Sequence, residues 1–141
     1  MRVAAYHRLS APDIEQTTSI ELLKRGYEEQ INRCRRFKCV GCYIDEGDSR
    51  AGFEQLMEAA QSGQIDRIET RSAFEFIENV DDLISTAYRL KSLNPPVQVH
   101  FEREDVTTGT IMWDHCIGFL TGYLSAMERV AERRESGLCR T

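Results

Sequence analysis

The sequence predicts an α/β domain in which a mostly parallel sheet of about four strands is flanked by helices and followed by a long C-terminal helix. Three observations predict it. Short apolar runs alternate with segments whose apolar residues recur at helical spacing, glycine and proline punctuate the joins, and an apolar stripe runs from about residue 110 to 134. At 141 residues and 41% hydrophobic, the chain has the size of one domain, with a core over about residues 1–105.

Arg2-Val-Ala-Ala-Tyr6 is short and apolar, as a buried first strand requires. A polar loop follows with Ser10, Pro12, Asp13, Thr17 and Thr18. Ile20, Leu23, Tyr27 and Ile31 then recur at helical spacing, Ser19 suits an N-cap, and Glu21 lies near the positive end of the helix. Residues 37–44 read as a second strand. Asp45 to Gly52 is a polar turn leading into a helix with Phe53, Leu56, Met57 and Ala60, and Gly63 is a natural stop.

Ile65 to Thr70 reads as a third strand, although Arg67 and Glu69 are unusual in a strand covered on both faces. A helix over Val80 to Leu93 presents Leu83, Ala87 and Leu90 on one side and is halted by Asn94-Pro-Pro96. Val97 to Phe101 is the fourth strand. Beyond it Ile111, Ile117, Leu120, Leu124, Met127 and then Val130 or Ala131 trace one stripe, on a helix of ~35 Å at 1.5 Å per residue. A stripe of that length predicts self-association as a homodimer or higher homo-oligomer, the alternative being that it folds back over the sheet.

A net charge of -5 gives no overall basic footprint, which argues against a standalone electrostatic nucleic-acid-binding module; any DNA contact would be local or supplied by a partner. No apolar run reaches the roughly 18 residues of a membrane span, and no signal-peptide pattern opens the chain, which together predict a cytoplasmic protein without a membrane partner. The five cysteines, Cys34, Cys39, Cys42, Cys116 and Cys139, lack a disulfide-framework spacing and read as reduced thiols. Cys39 and Cys42 fall in a strand, where residues three apart point to opposite faces, so a shared metal is not expected. No metal or other cofactor is called for.

Ala4-Ala-Tyr-His-Arg-Leu-Ser10 ends a strand in Tyr-x-Arg-x-Ser, and Tyr43-Ile-Asp-Glu-Gly47, Arg50-Ala-Gly-Phe53, Gly63-Gln-Ile-Asp66, Phe101-Glu-Arg-Glu-Asp105 and Glu132-Arg-Arg-Glu-Ser-Gly137 follow in order. In this series, over about residues 2 to 137, the chain resembles the catalytic domain of serine site-specific recombinases of the resolvase/invertase family. The resemblance implies a serine nucleophile that forms a phosphoserine linkage with DNA during strand exchange, and a partnership with DNA through its phosphates. Attack on a phosphodiester spreads negative charge over the phosphoryl oxygens, and planar guanidiniums suit that charge. It further implies Ser10 as nucleophile, Arg8 as phosphate ligand, Tyr6 packed behind them, and Asp45, Ser49, Arg50 and Asp66 at other active-site positions. Read without it, Ser10 is an ordinary loop serine, Arg8 a charge at a strand end, and the acidic residues turn formers or caps.

The sequence departs from the family pattern where the chemistry is most demanding. Two arginines three apart are expected after the third strand, but Ser72-Ala-Phe-Glu-Phe-Ile-Glu-Asn79 places Glu75 and Glu78 there, a change of four charge units. Phe74 stands where an aspartate is usual. The sequence also ends at Thr141, without the helix-turn-helix that resolvases carry beyond this helix, as an excised domain or a naturally short relative would. Two functions follow as expectations: an enzyme that cuts DNA through Ser10 with impaired chemistry, or an inactive recombinase-like dimerisation or regulatory module. A nucleotide-binding domain of another kind would need a glycine-rich loop after the first strand, and none is there.

Overall fold

The computed structural model describes residues 1–9, 20–115 and 117–118. In chain order these form β1 (Arg2–Leu9), α1 (Ile20–Asn32), β2 (Lys38–Glu46), α2 (Ala51–Gln61), β3 (Arg67–Thr70), α3 (Ala73–Phe76), α4 (Val80–Lys91), β4 (Gln98–Phe101) and β5 (Val106–Thr107). Residues 111–115 and 117–118 are helical, which covers the start of the expected C-terminal helix. The sheet order is β2-β1-β3-β4-β5. All neighbours run parallel except β4 and β5. The alternation of strand and helix thus yields the expected parallel core, with one antiparallel edge strand and the one-turn α3 in addition.

Glycine and caps fix the helix ends where the sequence marks them. Gly63 takes φ 75°, while Gln64 N–H donates to the Ala59 carbonyl and Gly63 N–H to that of Ala60, the paired bonds of a left-handed helix stop. Asn79 Oδ1 accepts from Asp82 N–H at 3.2 Å and opens α4 with Asp81 and Asp82 in its first turn. Thr110 Oγ1 does the same for Trp113 N–H at 3.2 Å. The proposed Ser19 cap lies outside the described residues.

The two faces of the sheet are covered differently. On one, Ala4, Tyr6, Ile68, Val99 and Phe101 meet Leu56, Met57 and Ala60 of α2, Phe76 of α3, and Leu83, Ala87 and Leu90 of α4. Trp113 stacks on Phe101 at 5.8 Å, and Ile117 packs against the same core. On the other face Val3, Ala5 and Ile31 form a smaller cluster under α1, which packs over β2 and β1.

That asymmetry accounts for the charged residues of β3. Arg67 and Glu69 lie beside Val3 and Ala5 in register, hence on the α1 face, where α1 packs mainly over β2. They are satisfied by each other and by β4: Arg67 lies 2.6 Å from Glu69 Oε1, and His100 Nδ1 lies 2.8 Å from Glu69 Oε2. The Arg67 guanidinium also covers the Phe37 ring at 4.9 Å. The two charges that make this strand unusual in sequence thus have their partners on its own face.

A register shift between Val3 and Ala4 corrects the expectation that Cys39 and Cys42 point to opposite faces. The extra residue on β2 turns Cys39 and Cys42 onto the same face, both against the smaller cluster. Burial raises both thiols, Cys42 to about 12, so neither is a ready thiolate. Among the described residues no group of three or more His, Cys, Asp or Glu is placed to hold a metal ion.

Candidate active site

The carboxyl ends of β1 and β2 bring together Tyr6, Arg8 and Asp45, and the turn after β2 adds Arg50. Tyr6 is fully buried on the α2 face of the sheet, and alternation along β1 puts Arg8 on the same face, two residues nearer the strand end. The Tyr6 hydroxyl donates to Asp45 Oδ2 at 2.7 Å. Burial first, then that bond, pushes the phenol well above its ordinary range, so Tyr6 stays a neutral donor.

Asp45 is buried at the first turn of α2 and spends its oxygens there. Oδ1 accepts from Gly52 N–H at 2.7 Å, and Oδ2 accepts from Phe53 N–H at 2.9 Å. A carboxylate at a helix start satisfies otherwise orphaned donors and the local dipole. Gly52 is required by this approach: a Cβ there would lie 2.9 Å from Asp45 Oδ1 and 3.3 Å from the Ile44 carbonyl oxygen.

Arg50 reaches back across α2. Its Nη1 donates to the Tyr6 hydroxyl at 3.3 Å and its Nη2 to the Phe76 carbonyl at 3.2 Å. Its guanidinium stands 4.0 Å from the Phe53 ring centroid. Phe53, Phe76 and Tyr6 pack edge to face at 5.3 to 5.8 Å, a cage that holds the arginine with no ion-pair partner among the described residues. This aromatic support was not identified from sequence; a clue was available in Phe53 and Phe76 flanking the expected site segments.

Arg8 is engaged differently. Its Nε donates to the Gly47 carbonyl at 2.9 Å, Nη1 meets Glu78 Oε1 at 3.2 Å, and Nη2 lies 3.9 Å from Asp48. Gly47 takes φ 57°, the left-handed conformation that turns the chain after β2. Glu78 thus faces the arginine directly. Glu75 stands apart: its amide donates to Ser72 Oγ at 3.3 Å, and its Oε2 is buried with no hydrogen-bond partner among the described residues.

Two predicted site residues behave otherwise. Ser49 sits exposed on the turn, its Oγ accepting from Ala51 N–H at 3.4 Å. Asp66 does not join the group. It precedes β3 at the amino end of the sheet, where it accepts from Arg2 N at 2.8 Å and pairs with the Arg2 guanidinium at 3.0 Å. At about 3.3 Å per residue, the length of β1 separates it from Arg8 by roughly 20 Å. The Arg2 bonds hold the Asp66 carboxyl below its usual range. Position in the series of motifs suggested the site, but the residue lies at the wrong end of its strand. Ser10, Leu120, Leu124 and Met127 lie outside the described residues, and Ile117 of the same stripe packs on the domain's own core.

Tyr6, Arg8 and Asp45 thus lie toward the carboxyl ends of the first two strands of a mostly parallel five-stranded sheet. The model of the resolvase N-terminal domain matches residues 3–138, and the chain belongs to that family. In structure it is similar to the N-terminal catalytic domain of TP901-1 integrase, with a TM-score of 0.63 and 16% identity over 92% of this chain and 98% of that one. It is also similar to a resolvase family site-specific recombinase from Streptococcus pneumoniae, with a TM-score of 0.69 and 19% identity over 95% of this chain and 94% of that one. The catalytic domain of ISC1926 TnpA, an IS607-like serine recombinase, matches less extensively, at a TM-score of 0.51 and 17% identity over 72% of this chain and 67% of the other. No curated protein matches.

Proposed function

We propose that the chain is a serine-recombinase catalytic domain with Ser10 in the nucleophile position, directed at DNA phosphodiesters, in which Glu78 cancels the charge of Arg8 and leaves strand cleavage weak or absent. Cleavage would join Ser10 Oγ to phosphorus and release the bridging oxygen, which takes up a proton as an alcohol. The transition state needs guanidiniums free to follow the charge on the phosphoryl oxygens. Arg50 is available in part, since its partners are neutral. Arg8 is not, and its contact with Glu78 is the observation that carries this reading.

The same contact favours a second reading, an inactive recombinase-like domain that persists through assembly with copies of itself or with active relatives. Both readings take DNA as the substrate or tethered partner and the C-terminal helix as the association surface. Nicking of supercoiled plasmid separates them. The first predicts at most slow nicking by the native chain, none by Ser10→Ala and faster nicking by Glu78→Arg; the second predicts none with any of the three proteins.

A further inference from the structure

The end of the sheet opposite Arg8 carries a concentration of positive charge that the cleavage site does not use. Arg33, Arg35, Arg36 and Lys38 fall within six residues with no acidic residue among them, in a chain of net charge -5. All four are exposed, and none is in an ion pair among the described residues. The end of α1 at Asn32 would favour one cation near its carbonyls, but not four.

The segment is also held in place. Cys34 N–H donates to the Ile31 carbonyl, Phe37 N–H to the Cys34 carbonyl and Lys38 N–H to the Met1 carbonyl, at 2.9 to 3.2 Å. Phe37 packs on the smaller core cluster beneath Arg67. The cations therefore project from a fixed turn, and binding an anion there orders little backbone. Lys38 pairs with Arg2 at the start of β1, and Asp45 with Arg8 at its end, a separation of roughly 20 Å at about 3.3 Å per residue. One phosphate cannot serve both places.

We propose that Arg33, Arg35, Arg36 and Lys38 form a docking surface for the phosphate backbone of double-stranded DNA, separate from the Arg8 site. The choice of DNA over other polyanions rests on the function proposed above; the surface itself does not depend on cleavage at Ser10. Guanidiniums recognise phosphate with two parallel donors, and an overall acidic chain that binds DNA must do so through a local patch. Such contact positions the duplex without reading its sequence.

The test is binding of a labelled 30-base-pair duplex across a salt series by the full chain, by Arg35→Ala/Arg36→Ala, by Arg8→Ala and by the control Arg89→Ala at an exposed position of α4. Four phosphate contacts predict a slope of log affinity against log salt of about -3.6, and the double variant should lose about two units of slope and weaken binding on the order of tenfold at low salt. Arg89→Ala should leave the slope nearly unchanged, and Arg8→Ala should lose at most the roughly one unit of its single phosphate contact. Binding lost with Arg8→Ala but retained in the double variant would overturn this surface and leave the proposed function standing; no duplex binding at low salt by the full chain would overturn both. Two further results would overturn DNA as the occupant: patch-dependent binding to anionic phosphatidylglycerol vesicles without binding to duplex, and loss of self-association in the double variant without loss of duplex binding.

Discussion

The Arg8 guanidinium and the Glu78 carboxylate meet at 3.2 Å, where the proposed function puts a phosphate. Glu78 is exposed and Arg8 largely covered, so the pair is weak by itself and matters through occupancy. An incoming phosphate has to displace a carboxylate already in place. Glu78→Gln should therefore raise affinity for inorganic phosphate or a short oligonucleotide several-fold at low salt, about the worth of one exposed ion pair at ~1 kcal/mol. Glu75→Gln should change it less, because Glu75 makes no contact with Arg8. Isothermal titration at two salt concentrations checks both, and the gain should shrink as salt rises.

Asp45 anchors the site by joining β2 to α2 and to Tyr6. Asp45→Ala leaves the amides of Gly52 and Phe53 and the Tyr6 hydroxyl without their acceptor, at about 1–3 kcal/mol for each donor that water cannot reach. Tyr6→Phe removes only one of these bonds and should cost less. Denaturant midpoints for the two variants and their combination should be non-additive.

Gly52→Ala should destabilise the domain by about 1–3 kcal/mol, since the new methyl meets the Asp45 carboxylate and the Ile44 carbonyl at once. Gly26→Ala in α1 is the comparison: a Cβ there meets nothing within 4 Å, and the helix gains about 1 kcal/mol in propensity. Thermal unfolding should move in opposite directions for the two variants.

His100 gives the fold a pH dependence. Its Nδ1 and Nε2 face Glu69 and Asp105 at 2.8 and 3.0 Å, and only the doubly protonated ring donates to both. Burial alone would lower its pKa, but the hydrogen bonds to the two carboxylates outweigh it and the net shift is upward from 6.5. Arg67, which would disfavour the charged ring, is itself paired with Glu69. A group whose folded pKa is raised stabilises the fold fully below its unfolded value and loses that contribution as pH rises through the folded one. The stability margin of the native chain over His100→Gln should thus be larger near pH 5.5 than near pH 8. A titration of the His100 ring by nuclear magnetic resonance should give a midpoint above 6.5.

Self-association should depend on the later part of the apolar stripe. Ile117 packs on the domain's own core, so Ile117→Ala should lower stability without dissociating the oligomer. Leu120→Glu with Leu124→Glu should instead yield a monomer in sedimentation at tens of micromolar, because two unpaired charges would be buried in the interface.

The fold was legible because its signals are local. Apolar β1, the helical spacing in α1, α2 and α4, and the stops at Gly63 and Asn94-Pro-Pro96 each mark an element within a short window of sequence. β5 was not, since two residues carry no periodicity, and neither was the bulge that turns Cys39 and Cys42 to one face. Of the site, the types and order of Tyr6, Arg8, Asp45 and Arg50 were readable, but end-of-strand placement is a property of the whole sheet. That is why Asp66, in a fitting motif, proved to belong with Arg2 at the other end. The charges of Arg67 and Glu69 looked misplaced until β4 supplied His100.

On the proposed function, Glu78 holds Arg8 in a state that supports cleavage through Ser10 weakly or not at all. Mass spectrometry of the protein after incubation with supercoiled plasmid tests it most directly. The native chain should show at most a trace of DNA-linked Ser10 peptide, and Glu75→Arg/Glu78→Arg should show more; abundant Ser10 adduct in the native chain, unchanged by Glu78→Gln, would contradict the account.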